Sequence, residues 1–217
     1  MRKSILAVAA AAGAVTLTVG ALQAQGGPPQ LPGMMDASRV EAGTYATDPG
    51  HSLVGWTVNH FGFSDYFGIF GDVTGTLEID PADITTAKVD VTIPIASVTT
   101  ASAGLTSHLL RAAGEGAAAP DFFGPSPEAA HFVSTMVHST GEHSAHITGN
   151  LTMNGMTKPV TIQAEFVGAG NNPFTQKLTV GFNGTTTITR SEWGLAGFTP
   201  LVSDQVELTI AVAFEKQ

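Results

Sequence analysis

"QVELTIAVAF", residues 205–214, is the stretch that decides the fold. Large apolar side chains alternate in it with polar or small ones, and one face carries Val206, Leu208, Ile210, Val212 and Phe214. A period of two residues is typical of a β-strand that buries one face. The stretch therefore predicts a half-buried antiparallel strand near the C-terminus.

The same period recurs through most of the chain before it. Roughly eight strands are predicted, and turn signals such as "DPG", "NGMTKP" and "GAGNNP" separate them. Many strands with one polar face and few helices indicate an all-β sandwich or a closed barrel. The predicted strands lie within residues 51–63, 72–80, 87–95, 132–138, 146–155, 160–166, 174–190 and 205–214.

One segment is predicted to be helical, "SAGLTSHLLRAA" at residues 102–113. It is followed by "GEGAAAPDFFGPSPEAA", residues 114–130, whose glycines and prolines favour an irregular insert. The sequence leaves open whether the insert, taken as residues 112–130, closes over the barrel as a lid.

The N-terminus has the pattern of a cleaved secretory signal peptide over residues 1–24. A short basic start precedes an apolar, alanine-rich stretch, and small residues close it. A membrane anchor is the alternative, but the stretch is of marginal length and contains polar residues and glycine. Residues 25–38 are rich in Gly and Pro and predict a flexible leader, so the folded domain is expected at 39–217. The expected location is the periplasm.

Charge and cysteine content exclude several classes of protein. The chain has no cysteine, which excludes disulfides and thiolate chemistry. Loss of residues 1–24 removes two basic residues and no acidic one, so the formal charge goes from −9 to −11. Such a surface repels phosphate backbones and gains nothing from anionic lipids, so we expect neither nucleic-acid binding nor membrane-surface binding, and no stable membrane insertion.

No catalytic or cofactor motif appears in the sequence. The patterns of serine hydrolases, P-loop proteins and zinc proteases are absent. His51 and His60 are an odd number of residues apart, so on one strand they face opposite ways and cannot share a metal. His138, Glu142, His143 and His146 surround a predicted hairpin turn, and their spacing fits no ligand motif. We expect no cofactor, no metal and no enzymatic activity.

The segment "YATDPGHSLVGWTVNHFGFSDYFGIFGDVTGTLEID", residues 45–80, resembles the opening of the YceI family. The resemblance continues in family order through "LTSHLLRAAGEGAAAPDFF", "ITGNLTMNGMTKPVTI", "TTTITRSEWGL" and "LVSDQVELTIAVAFEK". Two segments depart from the family pattern: "AAGEGAAAP" lengthens the region before the Phe pair, and Trp193 stands where the family has a smaller ring.

This resemblance implies an eight-stranded antiparallel, lipocalin-like barrel with a hydrophobic tunnel. It also implies binding of an isoprenoid lipid, either a polyprenyl phosphate or a quinone with an isoprenoid tail. An isoprene chain offers only apolar surface, and its burial is worth about 25 cal/mol per Å2, so tail length sets affinity. The sequence leaves the oligomeric state open, a homodimer included.

The candidate ligand contacts are mostly aromatic residues and methionines from the segments that resemble the family. Val180 and Phe182 are added because they share strand parity with Arg190. The candidates are Phe61, Phe63, Tyr66, Phe67, Ile69, Phe70, Phe122, Phe123, Phe132, Met136, Met153, Met156, Val180, Phe182 and Trp193.

Four polar residues are candidates for the head-group end of the tunnel. Arg190 is expected to point inward, where it needs either an anionic ligand or an internal partner such as Glu192. His51, Asn59 and His60 lie on or beside the first barrel strand and can donate hydrogen bonds at the tunnel mouth. The alternatives to lipid carriage are an enzyme that uses His51, His60 or Arg190 and a structural barrel filled by its own side chains.

Overall fold

The alternating stretches form antiparallel strands. The computed structural model describes residues 30–217, and it contains one α-helix among many strands. The strands are β1 (Gly43–Thr47), β2 (Leu53–His60), β3 (Ser64–Phe70), β4 (Thr74–Ile79), β5 (Lys88–Ile93), β6 (Ala130–Gly141), β7 (Ser144–Met153), β8 (Met156–Asn171), β9 (Leu178–Thr189) and β10 (Gln205–Lys216), and the helix is α1 (Ala103–Leu109).

The C-terminal strand β10 closes the sheet into a barrel. One edge of β10 pairs with β9 along nearly its whole length, from Gln205 opposite Thr189 to Glu215 opposite Thr179. Its other edge pairs first with β2 and then with β1. The ring continues from β1 through β4, β5, β6, β7 and β8 to β9.

Two positions in the barrel wall are occupied by pairs of short strands. β1 and β2 follow each other along β10, separated by a 3-10 turn at Pro49–His51, and buried Ser52 ties this break to Ala213 of β10. β3 and β4 likewise follow each other along β2 and β1, separated by residues 71–73. The ten strands therefore fill eight positions, and the predicted eight-stranded antiparallel barrel is confirmed.

The connections between antiparallel strands gather at two ends of the barrel. The helix end, as we call it, carries residues 61–63, 94–129, 154–155 and 190–204, and α1 lies in the second of these. The opposite end carries residues 80–87, 142–143 and 172–177 together with the chain before β1. Helix α1 falls within the predicted segment and starts where the Ser102 side chain accepts a hydrogen bond from Leu105 N.

The chain packs onto the barrel earlier than expected. Leu31–Gln217 form one compact unit, and Met34 exchanges two backbone hydrogen bonds with Ala169 of β8, at 3.1 and 2.9 Å. Part of the stretch predicted to be a flexible leader is thus tied to the wall. The predicted signal peptide at 1–24 lies outside the described residues. None of the helices within residues 30–217 is long and apolar enough to cross a membrane.

Trp56 of β2 packs across the neighbouring strand because that strand offers a glycine. Gly68 of β3 lies directly opposite Trp56, and a β-carbon on Gly68 would stand 2.2 Å from the indole ring. No larger residue fits at this position without displacing the ring. The pair fixes how far Trp56 extends into the barrel interior.

We expect Gly68→Ala to lower the free energy of unfolding by about 1–3 kcal/mol, because the methyl group overpacks against Trp56. Urea denaturation followed by circular dichroism measures the change. Gly71→Ala is the matched control, since a β-carbon there meets nothing within 4 Å. Equal stability of the two variants would contradict the close packing.

Candidate functional site

The barrel encloses an apolar cavity of about 1050 Å3. This volume slightly exceeds the usual range for small-molecule sites, about 300–1000 Å3. Inward side chains from β2 through β10 provide most of the wall, and aromatic residues of the insert complete it. Among them are Val54, Trp56, Val58 and His60 of β2, Ile162 and Ala164 of β8, Phe182 and Ile188 of β9, and Val206, Leu208, Ile210, Val212 and Phe214 of β10.

Side chains fill the core next to the cavity near the opposite end. Tyr45, Ala169 and Val180 are all fully buried there and are not part of the cavity wall. The Tyr45 hydroxyl donates a hydrogen bond of 2.7 Å to the carbonyl of Glu41, which satisfies its polar group. The interior near the opposite end therefore contains a packed region beside the hollow one, and Phe166 and Phe214 belong to both.

The cavity reaches solvent near both ends, and the two mouths differ in chemistry. At the helix end Phe61 and Phe198 line the cavity while 43% and 44% of their surfaces remain exposed. At the opposite end the exposed lining residues include Ser38, Pro81 and Glu142. One mouth is therefore aromatic and the other is more polar.

An aromatic group caps the cavity at the helix end. The rings of Phe122 and Phe198 stack at 5.9 Å, and the His108 ring meets both edge-on at 5.5 and 5.8 Å. The Arg190 guanidinium lies 5.9 Å from the Phe122 ring centre, within cation–π range. All four side chains line the cavity.

Asp121 fastens the insert to α1. Its carboxylate accepts a hydrogen bond of 2.6 Å from Arg111 and shares one of 2.9 Å with His108. The hydrogen bond from Arg111, followed by that from His108, lowers the pKa of the Asp121 carboxyl. Phe123 N also donates to the carbonyl of Leu109. These contacts hold Phe122 and Phe123 in the cavity wall.

Arg190 is buried at 5% exposure and is held by protein acceptors. Its Nε donates to the carbonyl of Ser203 at 2.9 Å, and one terminal nitrogen donates to Val202 O and Thr199 Oγ1, both at 2.9 Å. The other terminal nitrogen donates to the carbonyl of Leu195. Arg190 therefore organises the connection from β9 to β10.

No carboxylate among the described residues forms an ion pair with Arg190. Glu192, the partner considered from the sequence, is exposed, and the nearby acidic group is Asp204, whose carboxylate accepts from Ser191 N and Oγ. Burial lowers the pKa of the Arg190 guanidinium, and the charge of Asp204 offsets part of that shift. The cavity wall thus contains a cation without a directly bound anion.

Most of the residues singled out from the sequence lie in the cavity wall. They come from the hairpin of β2 and β3, the insert, β6, β7, β9 and the turn after β9. They are His60, Phe61, Tyr66, Phe70, Phe122, Phe123, Phe132, Met153, Phe182 and Arg190.

Several other candidates lie outside the cavity wall. His51 is exposed in the 3-10 turn and bonds to Asp48 at 2.7 Å, and Asn59 accepts from Gly62 N in the β2–β3 turn. Val180 belongs to the packed region, and Trp193 is buried with its indole donating to the carbonyl of Leu151. The exposed residues outside the wall are Phe63, Phe67, Ile69, Met136 and Met156.

The sequence reasoning overlooked the aliphatic part of the wall. The alternation predicts the stripe on β10 and Ile162 of β8 as buried strand faces but not as cavity lining, and Ala164 of β8 was not singled out. Period-two alternation was the signal that could have found them. His108 and Phe198 have no such signal, since they lie on a short helix and in an irregular connection.

The fold and cavity define a class, the hollow antiparallel β-barrels with an apolar interior. The sequence model of the YceI-like domain matches residues 45–214, and the chain belongs to this family. A UPF0312 protein of Pseudomonas fluorescens (strain SBW25) is 36% identical over 187 residues, which are 85% of this chain and 92% of the relative.

Solved structures share the barrel. A YceI protein of Campylobacter jejuni is 28% identical with a TM-score of 0.60, covering 73% of this chain and 90% of its own. A polyisoprenoid-binding domain from Saccharophagus degradans, implicated in plant cell wall breakdown, is 14% identical with a TM-score of 0.56, covering 80% of this chain and 98% of its own. At that identity the second likeness concerns the fold alone.

We expect Arg190→Leu to lower the free energy of unfolding by at least about 3 kcal/mol, because it leaves several buried carbonyl groups without donors. Urea denaturation measures the loss. Arg39→Leu, which removes a partly exposed arginine, is expected to change stability little. Parental stability of Arg190→Leu, together with selective loss of anionic-lipid binding, would instead make Arg190 a head-group ligand.

Proposed function

We propose that the protein binds one isoprenoid lipid in the barrel cavity and carries or sequesters it. The observation that carries the proposal is the cavity of about 1050 Å3, whose wall is almost entirely apolar. A barrel of eight strands is wide enough for its own side chains or for one slim ligand, and here the interior is partly hollow. The related fold of a polyisoprenoid-binding domain supports the same ligand class.

The tail is expected to run from the aromatic mouth toward the opposite end. Flexible and branched apolar side chains along this path match a chain of methyl-branched units, and Met153 can repack around it. Each added unit buries a similar apolar area until the tail meets the packed region around Val180 and Tyr45.

A neutral head group, such as a quinone ring, fits the helix end better than a diphosphate. Of the described wall residues, two are aspartate, glutamate, lysine or arginine, namely Glu142 and Arg190. They lie at different ends of the barrel. Arg190 already donates four hydrogen bonds to protein oxygens, so it has little capacity for the paired contacts that a phosphate prefers. His60 and Tyr66 line the same end and can donate to carbonyl oxygens.

Binding without turnover is the proposal for this site. The His60 ring packs edge-on against Phe61 at 4.2 Å, and the His108 ring forms a hydrogen bond with Asp121. In the part of the chain that the structure describes, no three histidine or acidic side chains are placed to hold a metal ion. Incubation with the bound lipid followed by mass spectrometry tests this, and a changed lipid mass would make the protein an enzyme.

The proposed location is the periplasm, reached through a signal peptide at residues 1–24. N-terminal sequencing of the exported protein is expected to find a start at or near Gln25, because small residues precede that position. An intact Met1 in a membrane fraction would show instead that the segment is an anchor.

Affinity is expected to rise stepwise with the number of isoprene units and then level off, because each unit adds buried apolar area until the cavity is full. A series of quinones with increasing tail length, titrated by calorimetry, measures this. A parallel series of polyprenyl phosphates is expected to bind more weakly at every tail length.

Ala164→Phe is expected to move the plateau to shorter tails, because Ala164 lines the cavity. Gln163→Phe is the matched control on the outer face of the same strand. The inner variant costs about 1–3 kcal/mol of stability by overpacking, so its folding is checked first by circular dichroism. No dependence on tail length in the parent protein would overturn the proposed function.

A further inference from the structure

Large apolar side chains are exposed around the aromatic mouth. The rim patch, as we call it, comprises Phe61, Phe63, Phe198 and Leu201 at the mouth together with Phe67 on the outer face of β3 opposite Thr57, and Phe63 and Phe67 are 89% and 65% exposed. Soluble proteins scatter such residues singly, whereas a contiguous group marks an interaction surface.

Hydrogen bonds hold the two segments of the rim patch together. Phe61 N donates to the carbonyl of Leu201 at 2.7 Å, and Ser203 N donates to the carbonyl of Asn59 at 2.9 Å. The Asn59 side chain also fixes the β2–β3 turn through Gly62 N and Asp65. The aromatic side chains therefore project from a fixed backbone, which lowers the entropy cost of docking.

The rim patch is continuous with the cavity. Phe61 and Phe198 belong to both, so a lipid tail that leaves an apolar phase at the patch reaches the interior over apolar surface. The exposed lining of the mouth at the opposite end consists of polar residues such as Ser38 and Glu142 and small apolar ones such as Ala37 and Ala82, with no exposed aromatic ring among the described residues. Of the two mouths, only the aromatic one suits a bilayer interface, because aromatic rings are favoured there.

The charge of the segments around the rim patch narrows the choice of docking partner further. Residues 59–73 and 195–205 contain no lysine or arginine, and they carry three aspartates, so anionic lipids and acidic partners are disfavoured. The argument from net charge against membrane-surface binding concerns anionic surfaces. It did not include apolar contacts with a neutral surface.

We propose that the rim patch docks reversibly on a zwitterionic lipid bilayer and aligns the aromatic mouth with it, so that the lipid enters or leaves the cavity there. This inference rests on the proposed lipid binding and specifies where exchange takes place. Phe63 and Phe67 act by insertion among head groups and lie outside the cavity wall.

Co-sedimentation of the exported protein with phosphatidylcholine vesicles tests the docking. The double variant Phe63→Ser, Phe67→Ser is expected to reduce vesicle partitioning by about tenfold or more, because it removes two inserted rings. It is expected to slow extraction of a long-tailed quinone from the vesicles by a similar factor. Its affinity for a short-tailed, water-soluble quinone is expected to equal that of the parent.

Phe174→Ser is the matched control, since Phe174 is 93% exposed in the β8–β9 turn at the opposite end. It is expected to behave as the parent does. Circular dichroism shows that each variant is folded, and because all variants share the same N-terminal segment, its contribution to vesicle binding cancels.

Three results would overturn the docking proposal: no vesicle binding by the parent, equal losses in Phe174→Ser and the double variant, or a parent dimer that the double variant dissociates without any change in vesicle binding. The last result would make the rim patch an interface between copies. If the parent protein binds quinone but not vesicles, the docking proposal is wrong and the proposed function stands. If the parent protein binds vesicles but no isoprenoid, the proposed function is wrong instead.

Discussion

Closure of the barrel through β10 is the constraint on which the rest of the structure depends. This strand is hydrogen-bonded on both edges, to β9 along one side and to β2 and β1 along the other. Because each of its residues is thereby fixed in register, the inward stripe from Val206 to Phe214 cannot slip to the outer face. The stripe is also one wall of the cavity, so closure and cavity have a common origin.

The strands that bury one face could be predicted from the sequence. The limits of that prediction have physical causes. Alternation gives the face of a residue but not its depth along the barrel. Val180 faces inward as its parity predicts, yet it belongs to the packed region and not to the hollow one. Trp193 lies in a 3-10 turn, where strand parity no longer applies.

The aromatic run from Phe61 to Phe70 shows a second limit. Composition alone made every ring in it a candidate for the cavity, but strand geometry divides them. Tyr66 and Phe70 face inward, whereas Phe67 faces outward on the same strand and Phe63 projects from the turn before it. The turn signal "DPG" marks the break between β1 and β2, where Asp48 caps a short 3-10 turn, but the short strand β1 before it is not among the predicted strands.

The wall of hydrogen-bonded strands and the cap at the helix end depend on different contacts. Asp121, Arg111 and His108 fasten the insert through side chains, and the strands β6 and β5 on either side of it are paired independently of them. The hydrogen-bonded register of the strands therefore does not depend on the insert, which joins the barrel core by the packing of Phe122 and Phe123. A change in the insert's length or aromatic content would alter the closure and shape of the mouth while the strand register stays the same, so the mouth can vary on a constant scaffold.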